Sequence, residues 1–337
     1  MINYLLKKFG LFCALFLDCC GSKSHGNNYL WEIEGNPPSY LFGPFHVPYP
    51  LLWNAIPENM MQAFNNTQSL YLEIDNNEEI KSAMKSCQQL PNNQTVYDIL
   101  PHDVYLRLLS HMKYVHAKFE ELLTSSQKNK GWTGDHLFKM YFDGWETREP
   151  IWTSMHLASI TKTIIRSIEY PVLDSYLEVL GRYYAKFVGG IETVNDRCAV
   201  FKNIKQSYVL HILDKIFELI ENRKLESWVD NFLQQYRDGT LSRSMSIPGM
   251  TMEVNHYIEQ QFQFRRNLIM SQRIIDLIQS DPNNSFFFAF GNGHFIGDNS
   301  VIDMLRQKGV NITRVPRDRV IPQSKTQEFF RYSLPPR

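Results

Sequence analysis

The stretch that decides the fold is residues 285–290, SFFFAF, which is followed at once by residues 291–294, GNGH. A short apolar run of this kind is typical of a strand covered on both faces of a sheet. Near the other end of the chain, residues 42–46, FGPFH, repeat the pattern Phe-Gly-x-x-His, again directly after an apolar run. We therefore expect two similar strands that present a histidine at their carboxyl ends, where open α/β sheets place ligands.

Two further segments before the middle of the chain predict strands. Leu30–Ile33 and Ser39–Phe42 form a predicted hairpin, because the GNPP sequence at residues 35–38 consists of turn residues. Residues 69–75, SLYLEID, alternate apolar and polar side chains and end in carboxylates, which predicts a strand with Glu73 near its end.

After the second motif, we expect Asn299 to cap a helix that runs to Arg306 and Gly309 to end it. Residues 310–315 are then predicted to return as a strand. A strand, a helix and a strand in this order favour a parallel sheet.

The middle of the chain has the periodicity of helices, clearest from Val104 to Leu122. Further helical segments are predicted at residues 151–168, 173–187, 204–237 and 254–279. The expected fold is α/β: a single domain over residues 28–320 with a mixed central sheet, flanking helices and a helical insertion at about 78–280 that forms a cap.

The start of the chain indicates export. Lys7 and Lys8 precede a short apolar segment, so residues 1–22 are predicted to be a signal peptide, and residues 321–337 form a polar tail. Outside the leader, no apolar stretch reaches the roughly 18 residues that a membrane helix needs. We expect a protein of the secretory pathway that is extracellular or at the cell surface.

The cysteines and glycosylation sequons agree with export. Removal of the leader leaves Cys87 and Cys198, which suggest one disulfide in an oxidising compartment. Four sequons predict N-glycosylation at Asn65, Asn93, Asn283 and Asn311.

Charge and motifs exclude several classes of protein. The 35 basic residues balance the 35 acidic ones, and no arginine-rich run with interleaved aromatic residues occurs, so we expect no nucleic acid as a partner. A P-loop, a Gly-x-Ser-x-Gly elbow, a Cys-x-x-Cys pair and a His-Glu-x-x-His motif are also missing.

The histidines of the two motifs, His46 and His294, are candidate metal ligands. Two imidazoles and one carboxylate leave positions open for water and substrate, and Glu73 is the obvious carboxylate. The motif glycines Gly43, Gly291 and Gly293 are expected to let the backbone turn sharply ahead of each histidine. By ligand chemistry alone the ion would be Zn²⁺, while a packing role for both histidines is the alternative.

These residues carry a resemblance to the Tiki metalloproteases, within the wider TraB/PrgY superfamily, and it covers nearly the whole mature chain. The matching segments are WEIEGNPPSYLFG at 31–43, HVP at 46–48, YLEID at 71–75, PVLD at 171–174, GIET at 190–193, RN at 266–267 and FAFGNGHF at 288–295. Pro44 departs from the family, whose members usually carry a small or hydroxyl residue there. Animal members are commonly anchored by a carboxyl-terminal membrane helix.

The resemblance implies a metal-dependent endopeptidase that cleaves the amino-terminal region of secreted Wnt proteins and so lowers Wnt signalling. It implies Mn²⁺ or Co²⁺ as the cofactor, without excluding Zn²⁺, and assigns His46, His294 and Glu73 to the catalytic centre. Glu73 is then a ligand or the general base; if it is a ligand, Glu192 or Asp75 is the base. Arg266 is a candidate for stabilising the oxyanion, or else forms a salt bridge.

Two other functions are compatible with the same residues. The superfamily is similar to erythromycin esterase-like hydrolases, in which comparable residues act without a metal. Alternatively, the protein is a secreted, non-catalytic protein that binds Wnt or a cofactor such as haem. No pattern in the sequence indicates an oligomeric state.

Overall fold

The computed structural model describes residues 28–202, 204–242 and 246–322. The predicted signal peptide and the tail beyond residue 322 lie outside these ranges. The described residues form a mixed α/β fold with one six-stranded sheet, which confirms the predicted fold class.

The strands are β1 (Leu30–Ile33), β2 (Ser39–Phe42), β3 (Ser69–Leu72), β4 (Phe187–Gly190), β5 (Phe286–Ala289) and β6 (Ile312–Arg314). Their order across the sheet is β4-β3-β5-β2-β1-β6. Strands β2 to β5 are mutually parallel, and β1 is antiparallel to both of its neighbours. Every residue of β5 is buried because this strand has a strand on each side and helices over the sheet.

Most strands lie where the sequence predicts them. The hairpin of β1 and β2 has the predicted bounds, and the last strand, β6, runs in the same direction as β5 but is separated from it by β2 and β1. Strand β3 ends at Leu72, so Glu73 follows the strand instead of belonging to it.

The helices of the first half are α1 (Glu58–Asn66), α2 (Glu78–Cys87), α3 (Val96–Ile99), α4 (His102–Leu122), α5 (Ser125–Asn129), α6 (Gly134–Phe142), α7 (Pro150–Ala158) and α8 (Lys162–Ile165). Those of the second half are α9 (Leu173–Tyr183), α10 (Val194–Lys202), α11 (Gln206–Glu221), α12 (Leu225–Arg237), α13 (Met252–Ile258), α14 (Arg265–Ser280) and α15 (Val301–Gln307). A π-helical segment, Glu259–Phe264, connects α13 to α14. Single 3-10 turns occur at Tyr49–Leu51, Trp53–Ala55, Pro91–Asn93, Trp145–Thr147 and Asn292–His294.

Four helix predictions were wrong in detail. The segment 151–168 is two helices, α7 and α8, with residues 159–161 between them. The helix predicted at 173–187 ends at Tyr183, and β4 follows it. The segment 204–237 is two helices, because the chain turns between them at Arg223 with a φ of 56°. Ser300, not Asn299, caps α15, since its side chain accepts a hydrogen bond from the amide of Asp303.

Strand β4 lies inside the region predicted to be helical, and its glycines explain why. A Cβ atom on Gly190 would clash with the amide nitrogen of Asp75, where the chain leaving β3 crosses over β4. The sequence FVGG has neither alternation nor a long apolar run, so only its pairing with β3 makes it a strand.

The hydrophobic core has two connected parts. One part surrounds the sheet and includes Leu41, Leu70 and Phe287. The other lies among the helices that follow β3 and precede β5 in the sequence, and it includes Phe119 and Phe217. The helical middle therefore has a core of its own, as a layer over the sheet requires.

The structure places the predicted modification sites as follows. A disulfide joins Cys87 at the end of α2 to Cys198 in α10. The sequon residues Asn93, Asn283 and Asn311 are exposed, and Asn65 is half-buried at the end of α1. Among the described residues, no helix has the length and apolar character needed to cross a membrane.

We expect the double substitution Cys87→Ser and Cys198→Ser to lower the free energy of unfolding by about 2–5 kcal/mol. The bridge closes a sequence separation of 111 residues, and a longer closed loop restricts the unfolded chain more strongly. Urea unfolding followed by circular dichroism measures the difference. A reducing agent should destabilise the wild type and leave the double-serine protein unchanged; equal stability of both oxidised proteins would contradict the expectation.

Candidate active site

Four parallel neighbouring strands end at the same edge of the sheet, and each is followed by a predicted site residue. His46 follows β2, Glu73 follows β3, Glu192 follows β4 and His294 follows β5. Parallel strands bring their carboxyl ends to one edge, so residues far apart in the sequence meet there.

The two histidines and Glu73 converge on one point. The Nε2 atom of His46 lies 3.2 Å from Oε1 of Glu73, and Nε2 of His294 lies 3.7 Å from the same oxygen. The side chains of Glu73 and His294 are buried, whereas that of His46 is 46% exposed. His46 therefore forms the solvent-facing side of the cluster.

The glycine of the second motif is required by close approach. A Cβ atom on Gly291 would lie 2.5 Å from Nε2 of His46 and 2.7 Å from Oε1 of Glu73. Its backbone φ of −49° is open to any residue, so the predicted need for a sharp turn is not the reason for glycine. Its amide instead donates a 2.8 Å hydrogen bond to Oε1 of Glu73.

The loops that carry the two motifs are fastened to each other. The amide of Asn292 donates to the carbonyl of Pro44 at 2.7 Å, and a Cβ atom on Gly43 would lie 3.2 Å from Cα of Asn292. Pro44 contributes its carbonyl oxygen to this contact, so its missing N–H group does not weaken it. Gly293 is the middle residue of the 3-10 turn that ends in His294.

A partner on the far side of each ring orients the two histidines. Nδ1 of His294 lies 2.6 Å from Oδ1 of Asn267, an oxygen that can only accept, so Nδ1 carries the proton. Burial, together with the charge of Arg266, lowers the pKa of His294 to about 3. The ring is therefore neutral, and Nε2 presents a lone pair toward Glu73.

His46 has a carboxylate on each side. Its Nδ1 atom makes a 3.2 Å ion-pair contact with Oδ1 of Asp174, an oxygen that has no hydrogen-bond partner among the described residues. Desolvation opposes protonation of His46, but the carboxylates of Asp174 and Glu73 outweigh it and raise the pKa. The two carboxylates therefore favour a positive charge on the His46 ring.

Two arginines hold Glu73 in its ionised form. Arg266 donates to Oε2 of Glu73 at 2.8 Å, and Arg197 forms a second, short ion pair with the same oxygen. Burial alone would raise the pKa of Glu73, but these guanidinium groups keep it well below its usual value. Oε2 is thereby occupied, and Oε1 is the oxygen that faces the histidines.

The other predicted catalytic residues lie around this centre without facing it. Glu192 is fully buried and forms a bidentate pair with Arg266, at 2.7 and 2.6 Å. Asp75 lies near Arg182 and hydrogen bonds to neighbouring amides. Arg266 donates to Glu73 and Glu192 and, through Nη1, to the carbonyl of Phe262, so the structure shows the salt-bridge alternative for this residue.

Three residues of the site were not assigned a role from the sequence: Arg197, Asp174 and Asn267. The last two lie within the segments PVLD and RN that carry the family resemblance. Asp174 reaches His46 because the residues before it form an antiparallel bridge with Pro48. No signal in the sequence singles out Arg197. Arginine is most often a surface residue, and only the position of α10 in the fold brings this one to Glu73.

The donor chemistry of the centre fits a divalent cation. The Nε2 atoms of both imidazoles face Oε1 of Glu73, and the other nitrogen of each ring contacts a polar partner, as in metal-ligating histidines. Across the described ranges, however, no three His, Cys, Asp or Glu side chains are arranged as a ligand set. Glu73 is drawn toward the two arginines instead.

The α/β fold and the cluster of two histidines and a glutamate are those of a candidate hydrolase, and comparison with known families identifies the family. Residues 29–314 match the TraB/PrgY/gumN family, and because this covers most of the chain, the chain belongs to that family.

Within this family, the chain is similar to several curated metalloproteases. The chain is 33% identical over 333 residues to metalloprotease TIKI2 of Xenopus tropicalis, covering 91% of this chain and 64% of the relative. It is 32% identical over 330 residues to metalloprotease TIKI1 of Homo sapiens, covering 91% and 65%. A metalloprotease TIKI homolog of Nematostella vectensis is 29% identical over 329 residues, covering 90% and 70%. These relatives confirm the resemblance predicted from the motifs.

The chain thus spans about 64% of the length of the first of these relatives. No solved structure matches it significantly.

We expect Arg266→Met to destabilise the protein by about 3–5 kcal/mol, because it leaves the fully buried Glu192 with only the 3.5 Å contact of Arg197 and removes one of the two cations beside Glu73. Adding Glu192→Gln should recover part of that loss, since no unpaired charge then remains at 192. Urea unfolding of the single and double variants measures both values.

The matched control is Arg265→Met, one residue earlier, whose guanidinium contacts Gln261 on the surface. A similar decrease in the free energy of unfolding for Arg265→Met and Arg266→Met would show that the buried Arg266–Glu192 pair does not stabilise the protein more than a surface contact does.

Proposed function

We propose that this protein is a metal-dependent endopeptidase. The observation that carries the proposal is the convergence of His46 and His294 on Oε1 of Glu73, with the far nitrogen of each ring held by a polar partner. The names of the relatives, which describe them as metalloproteases, support it. His46, His294 and Glu73 would hold the ion, which when bound would supply Lewis acidity and a water of lowered pKa.

The protein's own groups have distinct parts in this proposal. Arg266 and Arg197 keep Glu73 ionised through Oε2, so that Oε1 can serve as a ligand or accept a proton. Glu192 holds Arg266 in place. The exposed side of His46 is where a polypeptide can approach.

The finer proposal concerns ion, substrate and compartment. We propose Mn²⁺ or Co²⁺ as the ion and the amino-terminal region of secreted Wnt proteins as the substrate, as the resemblance implies. The disulfide and the exposed sequons at Asn93, Asn283 and Asn311 support a protein of the secretory pathway.

The test of this proposal is to incubate the purified protein with a Wnt protein and to read the amino terminus of the Wnt by mass spectrometry. We expect a shortened terminus with added Mn²⁺, none with a chelator, and at least a hundredfold loss for Glu73→Gln, since a general base alone contributes about 10²–10⁴-fold. Glu78→Gln, at a side chain that is 90% exposed, is the control. Unchanged termini under all conditions would overturn the substrate assignment and support a protein that only binds.

One observation favours a second function, a hydrolase that needs no metal. Asp174 contacts Nδ1 of His46 and Glu73 contacts Nε2 of the same ring, and a carboxylate behind a histidine is the arrangement of an acid–base catalyst. In that case cleavage would persist in a chelator and would be lost in His46→Ala.

A second prediction tests the metal-dependent function through metal affinity. Asp174→Asn should weaken Mn²⁺ binding by about 10–100-fold, the usual effect of removing a partner of a ligating histidine. Equilibrium dialysis measures it, with Asp276→Asn on the exposed face of α14 as the matched control. Equal affinity of the two variants would mean that Asp174 does not orient a metal ligand.

A further inference from the structure

Four aromatic side chains lie beside the candidate active site. Tyr49 stacks on Tyr176 with ring centroids 4.0 Å apart, and Trp53 meets the edge of Tyr176 at 5.2 Å. Tyr170 packs edge-on against Tyr49 at 5.7 Å. We call these four residues the aromatic cluster.

A two-stranded bridge connects the aromatic cluster to the active site. The amide of Leu173 donates to the carbonyl of Val47 at 3.0 Å, and the amide of Tyr49 donates to the carbonyl of Pro171 at 3.0 Å. His46 and Asp174 therefore lie at one end of the bridge, and Tyr49 and Tyr170 lie toward the other, where Tyr49 contacts Tyr176 and Trp53. Tyr49 is the third residue after His46, so their Cα atoms lie at most about 10 Å apart.

The aromatic cluster is open to a ligand. Tyr170 is 40% exposed, and Tyr49, Trp53 and Tyr176 are partly buried against the sheet core. Neither the three tyrosine hydroxyls nor the indole N–H hydrogen bonds to another described residue. These side chains are not fully buried, so their polar groups are not committed to partners within the protein and a ligand can reach them. Aromatic rings with free polar groups are instead typical of binding surfaces.

We propose that the aromatic cluster is a substrate subsite that binds an aromatic side chain of the polypeptide, about three residues from the bond that is cleaved. The inference rests on the proposed endopeptidase function. An extended peptide spans about 10 Å in three residues, and Tyr49 of the aromatic cluster lies within that reach of His46. Aromatic rings pair with each other more favourably than their buried area alone predicts, so an aromatic substrate residue suits this surface best.

The experiment uses the full-length purified protein with Mn²⁺ and a peptide library randomised at every position, with cleavage sites read by mass spectrometry. We expect aromatic residues to be enriched about three positions from the cut. Tyr170→Ala should lower kcat/KM for such peptides by about 2- to 10-fold relative to alanine-containing ones, mainly through KM. Tyr97→Ala is the matched control, since Tyr97 is 58% exposed and also contacts a second tyrosine, on α4.

Thermal unfolding by circular dichroism checks that each variant is folded, and Tyr170→Phe tests the hydroxyl alone. Cleavage without aromatic enrichment, or enrichment that Tyr170→Ala leaves unchanged, would overturn the subsite and leave the endopeptidase proposal intact.

If the wild type cleaves nothing, the library is passed over the immobilised protein and the retained peptides are sequenced. Aromatic enrichment that disappears in Tyr170→Ala would then support the subsite while the endopeptidase proposal fails. No enrichment would overturn both.

Discussion

The rest of the site depends on the burial of one ionised carboxylate, Glu73. A carboxylate taken out of water needs hydrogen bonds and opposite charge, or it becomes protonated. Glu73 obtains them from Arg266 and Arg197 on Oε2 and from the amide of Gly291 on Oε1. The arginines also fix which oxygen faces the histidines, so the same contacts that make the burial tolerable orient the group for chemistry.

The sheet and the helices contribute different parts of this arrangement. Loops after the parallel strands carry His46, Glu73 and His294, whereas helices of the middle and later chain carry Arg197, Asp174 and Asn267. The helical middle is therefore more than a cap over the sheet, because two of the partners that hold the central side chains come from α9 and α10. A displacement of these helices would change the charge and orientation of the site without touching the sheet.

The strands and the central triad were predictable because their signals are local. The apolar run at 285–290 and the repeated Phe-Gly-x-x-His predict two strands and the two histidines. The alternation of apolar and polar residues at 69–75 predicts the strand that precedes Glu73. Strand β4 and Arg197 were missed because their roles exist only in three dimensions. Gly190 is needed where the chain near Asp75 crosses it, and Arg197 matters only once α10 brings it to Glu73. The need for Gly291 was predicted for the wrong reason, since turn propensity is visible in a sequence and close approach is not.

The charges of the site explain why its histidine side suits a cation. Glu73, Glu192 and Asp174 bring three negative charges, and Arg197 and Arg266 bring two positive ones, which leaves one negative charge in excess. Both arginines lie on the Glu192 side of Glu73, so the excess falls on the side where His46 and Asp174 lie. His294 cannot offset it, because burial and Arg266 keep that ring neutral. A proton on His46 or a cation between the two rings can offset this negative charge. Only the cation would also bind the lone pair on Nε2 of His294, whose ring is oriented by Asn267.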